Sequence, residues 1–266
     1  GYENRQWELH QFRSRYHRDE VTNNRGGWAK LEFSKTEHLT SEGYFTYLKE
    51  FKGGHSLNAV AGYSYFEKNG ENFNAENYDF GVEGLKYWDL GAGSYLTDGK
   101  AAMGSGKNIT ERLFALYARA NYSYNDKYMV SATIRHEGSS KFAAENRWGN
   151  FWALSGGWRV SAEEFMKEFD WVSDLKVRFG YGVTGNNDFD ASYMANTLSR
   201  DQYWMLPSGS WAYVYGPSSN VNPYLGWEEK KEWNIGVDYS FFGNRMYGKF
   251  DYYRRKIDGM IYEVNV

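Results

Sequence analysis

Gly104, Ser105, Gly106, Lys107 and Asn108 are the nearest approach in this chain to a phosphate loop, where a glycine-rich backbone cradles phosphate oxygens beside a lysine. The pattern fails at both ends. Ala101 stands where the first glycine belongs, and Asn108 replaces the serine or threonine. His10, His17, His38, His55 and His136 are scattered without ligand spacing, and the chain has no cysteine to supply a thiolate or a disulfide. Asn186, Asn187, Asp188 and Asp190 bring oxygen ligands together, yet the glycine and glutamate of a helix-flanked calcium loop are missing. Such residues also tolerate the tight backbone of a turn, which is the simpler account. Glu163 and Glu164, like Glu228 and Glu229, are neighbours that a strand sends to opposite faces, so neither pair can work as coupled acids. No catalysis, metal or cofactor is expected.

One group resists dismissal. Tyr193, Tyr203, Trp204, Trp211, Tyr213, Tyr215, Tyr224 and Trp227 lie in a polar stretch rich in serine and glycine, residues 185–229. Flat rings there can stack on sugar faces or anchor a protein partner. Packing of a loop on itself, or an interface belt, accounts for them equally well. Tyr203, Trp204, Trp211, Tyr213 and Tyr215 are the ligand-binding candidates.

The elements that must carry these residues follow a period of two. Residues 111–160 read as three strands. Phe114, Leu116, Ala118, Ala120, Tyr122 and Tyr124 share one face, and Ala115, Tyr117, Arg119, Asn121 and Ser123 the other. Asn125, Asp126 and Lys127 turn the chain into Tyr128, Val130, Ala132 and Ile134, opposed by Met129, Ser131, Thr133 and Arg135. Trp152, Leu154, Gly156, Trp158 and Val160 then oppose Ala153, Ser155, Gly157 and Arg159. A long extended segment is expected over 28–51, and Leu57, Ala59, Ala61, Tyr63 and Tyr65 form a face of the next strand. In the strands 175–184 and 232–241 all ten positions on one face are apolar and none on the other is. Residues 246–253 add a further strand, and residues 1–17 read as one more. That makes about nine. Residues 18–27, 67–110 and 185–229 are expected as loops.

Strand length separates a membrane wall from a soluble sandwich. About ten residues rising 3.3 Å each at a 45° tilt cross roughly 23 Å, the height of an outer-membrane barrel's apolar band. Junctions at 52–54, 125–127, 161–172 and 242–245 are short, those at 67–110 and 185–229 are long, and 138–148 is intermediate. Short and long alternate, so they fall at opposite ends of the sheet, as periplasmic turns and extracellular loops do. The fold class expected is all-β, a segment of an antiparallel transmembrane β-barrel. Its polar face would present Arg119, Arg135, Arg159, Lys176, Arg178, Glu232, Asp238, Lys249 and Asp251 to a hydrated lumen or to a plug.

Four blocks, YARANYSYNDKYMVSATIRHEGSSKF, NRWGNFWALSGGWRVSAEEF, WVSDLKVRFGYGVTGN and NPYLGWEEKKEWNIGVDYSFFGNRMYGKFDYYRRKIDGMI, resemble in order the later barrel strands of the SusC/RagA family of TonB-dependent outer-membrane transporters. The resemblance covers about residues 112–262. It implies import of oligosaccharide or peptide across the outer membrane of a Bacteroidetes-type bacterium. It also implies a SusD-like surface lipoprotein, and a TonB-ExbB-ExbD complex acting through parts outside this chain. A 22-stranded barrel with an N-terminal plug would be the parent, with residues 1–266 a partial barrel domain. A surface lectin or adhesin, or a TonB-dependent siderophore or vitamin receptor, are the alternative readings.

Composition agrees with a barrel. The 266 residues are 41% apolar and 20% aromatic with a net charge of −3. A mean hydropathy of −0.76 and the absence of any run of 18 apolar residues exclude helical spans and leave a barrel open, since only alternate strand residues meet lipid. No basic stripe suggests nucleic acid. Gly1 opens the chain with no signal sequence after it, so the chain is expected to begin inside a longer protein.

Overall fold

The computed structural model describes residues 1–108, 110–189, 198–217, 222 and 224–262. Its strands are β1 (Tyr2–Arg13), β2 (Trp28–Phe51), β3 (His55–Tyr78), β4 (Ala102–Lys107), β5 (Glu111–Tyr124), β6 (Tyr128–Ser139), β7 (Trp148–Arg159), β8 (Val172–Asn186), β9 (Leu198–Met205), β10 (Trp211–Pro217), β11 (Glu228–Phe241) and β12 (Met246–Asp258). One sheet runs β1-β2-β3-β5-β6-β7-β8-β11-β12, with β4 also on β3, while β9 and β10 pair only with each other. Among the described residues no helix is long and apolar enough to cross a membrane.

Three expected loops hold more structure than composition suggests. β3 runs on to Tyr78 and β4 pairs with its Glu71–Glu76, so much of 67–110 is strand. Residues 18–27 include the helical turn α1 (Arg18–Thr22), and 185–229 holds the β9–β10 hairpin. The expected segment 28–51 is one strand of 24 residues, about 79 Å at 3.3 Å per residue.

Packing divides the chain into two compact units, residues 1–40 with 66–111 and residues 41–65 with 112–266, and β2 and β3 pass through both. In the first unit β1 pairs antiparallel with β2 from Tyr2 opposite Leu39 to Arg13 opposite Trp28. Its small core centres on buried Phe80. Asn77 ties the following turns down by donating its amide to the carbonyls of Leu90 and Gly93, at 2.7 and 2.8 Å. Glu20, fully buried, is paired with Arg25 at 2.9 Å.

The second unit is an up-and-down meander. Asn125 and Asp126 turn β5 into β6 with φ of 50° and 54°, the positive values a tight hairpin turn demands and these side chains tolerate. Register then lines up the faces. Val177, Val237 and Phe250 lie side by side across β8, β11 and β12, and Phe179, Ile235 and Tyr252 form the next apolar row. These rows are uncovered: Phe179 is 50% exposed, Phe250 66%, and Ile134 on β6 54%. So extensive an exposed apolar face is what a lipid-facing wall requires and a soluble monomer avoids.

Candidate functional site

On the polar face the register places Lys176, Asp238 and Lys249 in one row, and Arg178, Gly236 and Asp251 in the next. Arg178 reaches over Gly236 to three carboxylate oxygens. Its Nε and Nη2 donate to Asp238 at 2.8 Å each, and Nη2 donates to Asp251 at 2.9 Å. A Cβ on Gly236 would sit 2.5 Å from Asp251 Oδ1 and 2.7 Å from Arg178 Nη2. The missing side chain is therefore what lets one guanidinium bridge three strands. The charges are legible in the sequence, whereas the glycine between them carries only the weak signal of a glycine in the middle of a strand.

Four other polar-face candidates each have a polar neighbour. Arg135 forks onto Glu137 with two bonds of 2.8 Å and reaches Ser64 at 3.3 Å. Arg119 donates to Thr133, Arg159 pairs with Asp174 at 3.6 Å, and Glu232 accepts from Arg255 at 2.8 Å. Lys176 and Arg178 also line a concavity of about 480 Å³ with Ser56, Asn121, Ser131 and Asn234, whose walls supply donors and positive charge but no carboxylate.

At the long-loop end of the same unit, Phe142, Phe151, Phe189 and Trp227 pack ring on ring with centroids 5.1 to 5.2 Å apart. Phe142 and Phe151 are buried. The Trp227 indole donates to the Arg147 carbonyl at 3.1 Å, and Lys141 donates to the Phe189 carbonyl at 2.7 Å. Trp227, one of the eight tyrosines and tryptophans of residues 185–229, is thus packed over loop backbone.

The β9–β10 hairpin carries the five ligand candidates. Register sets Tyr213 opposite Tyr203 and Trp211 opposite Met205, all on one face, with Trp204 opposite Ala212 on the other. The Tyr203 and Tyr213 rings approach to 4.3 Å and their hydroxyls are hydrogen-bonded. Trp204, Trp211 and Tyr215 are 67 to 68% exposed. The five candidates therefore form a two-faced aromatic blade, and residues 202–217 carry no charged side chain. Tyr224 is exposed outside it, and Tyr193 lies outside the described residues.

The remaining clusters resolve into structure. Gly104, Ser105 and Gly106 are strand residues paired with Asn74, Phe73 and Asn72, which leaves no loop to cradle a phosphate. Asn186 accepts from the Asp188 amide at 3.1 Å and donates to Glu228, the pattern of a side-chain-stabilised turn; Asp190 lies outside the described residues. Glu163 accepts from the Tyr128 hydroxyl, the Trp158 indole and the Lys127 ammonium. Those bonds, the tyrosine's foremost, hold its carboxyl below the ordinary value of 4.5. Glu164 pairs instead with Lys167.

A two-faced meander with short turns at one end, a charged polar face and exposed apolar rows is the wall of a membrane barrel, and comparison with known proteins says which. The TonB dependent receptor-like, beta-barrel family matches residues 1–266. The chain belongs to that family. The TonB-dependent receptor SusC of Bacteroides thetaiotaomicron is 35% identical over 156 residues, 58% of this chain and 16% of its own length. TonB-dependent receptor P39 of Formosa agariphila is 33% identical over 236 residues, 85% of this chain and 21% of that protein. In fold the chain is similar to a structure of the RagAB peptide importer in the closed-closed state, with a TM-score of 0.77 at 22% identity over 88% of this chain and 25% of that one. This chain therefore spans about a fifth of the length of the relatives it matches. Membership places it in the outer membrane, in a family of receptors and transporters.

Proposed function

We propose that this chain is part of the barrel wall of a SusC-like transporter that imports oligosaccharide or peptide across the outer membrane of a Bacteroidetes-type bacterium, energised through TonB. The observation that carries the reading is the sheet itself: an uncovered apolar face backed by a polar face of paired charges, in a chain matched along its whole length by a TonB-dependent barrel family. The polar face, with Arg119, Arg135, Arg159, Lys176, Arg178, Glu232, Asp238, Lys249 and Asp251, lines a hydrated lumen and meets a plug supplied by the rest of the parent protein. Hydration and mutual pairing make such charges tolerable inside a membrane.

The aromatic blade of β9 and β10 stands at the long-loop end, where substrate and a SusD-like lipoprotein arrive. Neutral rings with exposed faces suit stacking on sugars or on apolar peptide side chains. The TonB-ExbB-ExbD complex acts on segments outside this chain. The test is uptake of labelled oligosaccharides and peptides by cells carrying the complete protein, a gene deletion, or a deletion of residues 198–217 only. Uptake lost in the gene deletion and reduced in the hairpin deletion, and abolished by dissipating the proton-motive force, is expected. Uptake unchanged in the gene deletion for both substrate classes overturns the reading.

A further inference from the structure

The apolar face carries a recess that wall-building does not require. A groove of about 620 Å³ lies over Phe45–Tyr47 of β2, Ala59–Ala61 of β3, Ala118–Ala120 of β5 and Ala132–Ile134 of β6. Its side is settled by neighbours. A Cβ on Gly43 would meet the Tyr63 ring at 2.7 Å, so Gly43 and Tyr63 share a face, and Phe45 and Tyr47 follow Gly43 at two-residue steps. Ala118 lies opposite Ile134 and Ala120 opposite Ala132, on the face where Leu116 and Tyr122 are exposed. Along these strands the apolar rows carry large side chains above and below, Leu116 and Tyr122 on β5 and Val130 and Ile134 on β6. Between them the floor drops to methyl groups, with Phe45, Tyr47 and Ile134 as rims. The volume falls within the roughly 300 to 1,000 Å³ of sites that take small ligands.

The medium decides the occupant. In a bilayer an apolar recess gains nothing by leaving water, because acyl chains are as apolar as the wall. What remains is contact: an unfilled recess forfeits dispersion on every lining atom, and a flexible chain that follows the floor restores it. A charge sits where a head group would. Lys49 is the next residue on this face of β2 after Tyr47, toward the short-turn end, and Lys52 follows in the turn. The Lys49 ammonium lies 5.9 Å from the Phe51 ring centroid and has no carboxylate partner among the described residues.

We propose that the groove is a binding site for one acyl chain of an anionic phospholipid in the leaflet at the short-turn end, with the lipid phosphate held at Lys49. The site goes beyond transport and rests only on this face meeting lipid. Each lysine near an anionic surface is worth enough to change occupancy about fivefold.

Native mass spectrometry of the complete transporter, released from nanodiscs of equal phosphatidylglycerol and phosphatidylcholine, reads lipids retained per chain. The wild type is expected to keep one phosphatidylglycerol that Ala59→Phe/Ala120→Phe, which fills the groove, does not. Lys49→Gln should reduce the preference for phosphatidylglycerol over phosphatidylcholine about fivefold. Heat-modifiable mobility confirms a folded barrel, and Ala118→Phe or Ala132→Phe alone repeats the test should the double variant fail to assemble. Equal retention by wild type and filled variants overturns the site. So does a disulfide between two copies bearing Ala120→Cys in intact membranes, which would make the groove a contact between transporters.

Discussion

Gly236→Ala tests the charge clamp by its sign. A glycine inside a strand usually gives way to alanine with a gain of about 0.5 to 1 kcal/mol. Here the added methyl would stand 2.5 and 2.7 Å from Asp251 and Arg178, so the guanidinium must leave its seat. Three charge-assisted bonds of 2.8 to 2.9 Å go with it. Hydrogen bonds to charged groups are worth about 1.5 to 3 kcal/mol when well shielded. The three side chains are 32, 35 and 38% exposed, so solvent screening brings the whole cluster down to about 1 to 2 kcal/mol. Gly156 on the apolar face of β7, where the nearest atom to an added Cβ is the Met129 carbonyl oxygen at 3.9 Å, is the matched control. Urea unfolding of the complete barrel in liposomes should put Gly236→Ala about 1 to 2 kcal/mol below Gly156→Ala, and Arg178→Gln should remove the gap. Two alanine variants of equal stability would refute the clamp.

The other expectations are smaller in scope. Glu163 has a depressed folded pKa, so its bonds to Tyr128, Trp158 and Lys127 stabilise fully above the unfolded value of 4.5, and that contribution fades as pH falls through the folded pKa. The stability difference between wild type and Glu163→Gln should hold near pH 6 and shrink below 4.5; a difference unchanged at about pH 2 contradicts this. If the blade binds ligand through the face shared by Tyr203, Trp211 and Tyr213, Trp211→Ala should weaken binding by about 2 kcal/mol and Trp204→Ala, on the other face, by far less. Calorimetry with purified transporter reads both, and equal losses would mean that the hairpin is not read from one side.

Alternation made the membrane-facing strands legible, because a wall between lipid and water forces apolar and polar residues into strict turns. β2 was visible from Trp28 to Phe51, and the two rows of β8 and β11 could be assigned residue by residue. The outer half of β3 was not. In ENFNAENY five of eight residues are polar and the other three, Phe73, Ala75 and Tyr78, do not share one face, while Lys35 lies 3.8 Å from Glu71. Without one apolar side there is no period to see. The hairpin failed for the opposite reason: Trp211, Tyr213 and Tyr215 alternate with Ala212 and Val214, so both faces are apolar. At the site, the charges of Arg178, Asp238 and Asp251 could be read from the chain. That they meet needed the register, which depends on strand pairing and not on local pattern.

The barrel wall depends on which face meets lipid, and nitroxide labels test it directly. Ile235→Cys and Val237→Cys carry a label on the apolar face, Asn234→Cys and Asp238→Cys on the polar one, and register makes the four alternate along a single strand. In the complete transporter in liposomes, labels at 235 and 237 should relax with oxygen, which partitions into the bilayer, and not with an aqueous nickel chelate. Labels at 234 and 238 should show no such preference for oxygen. Protection of 235 and 237 from both quenchers would put these residues in a dry protein core, and the barrel wall would be contradicted.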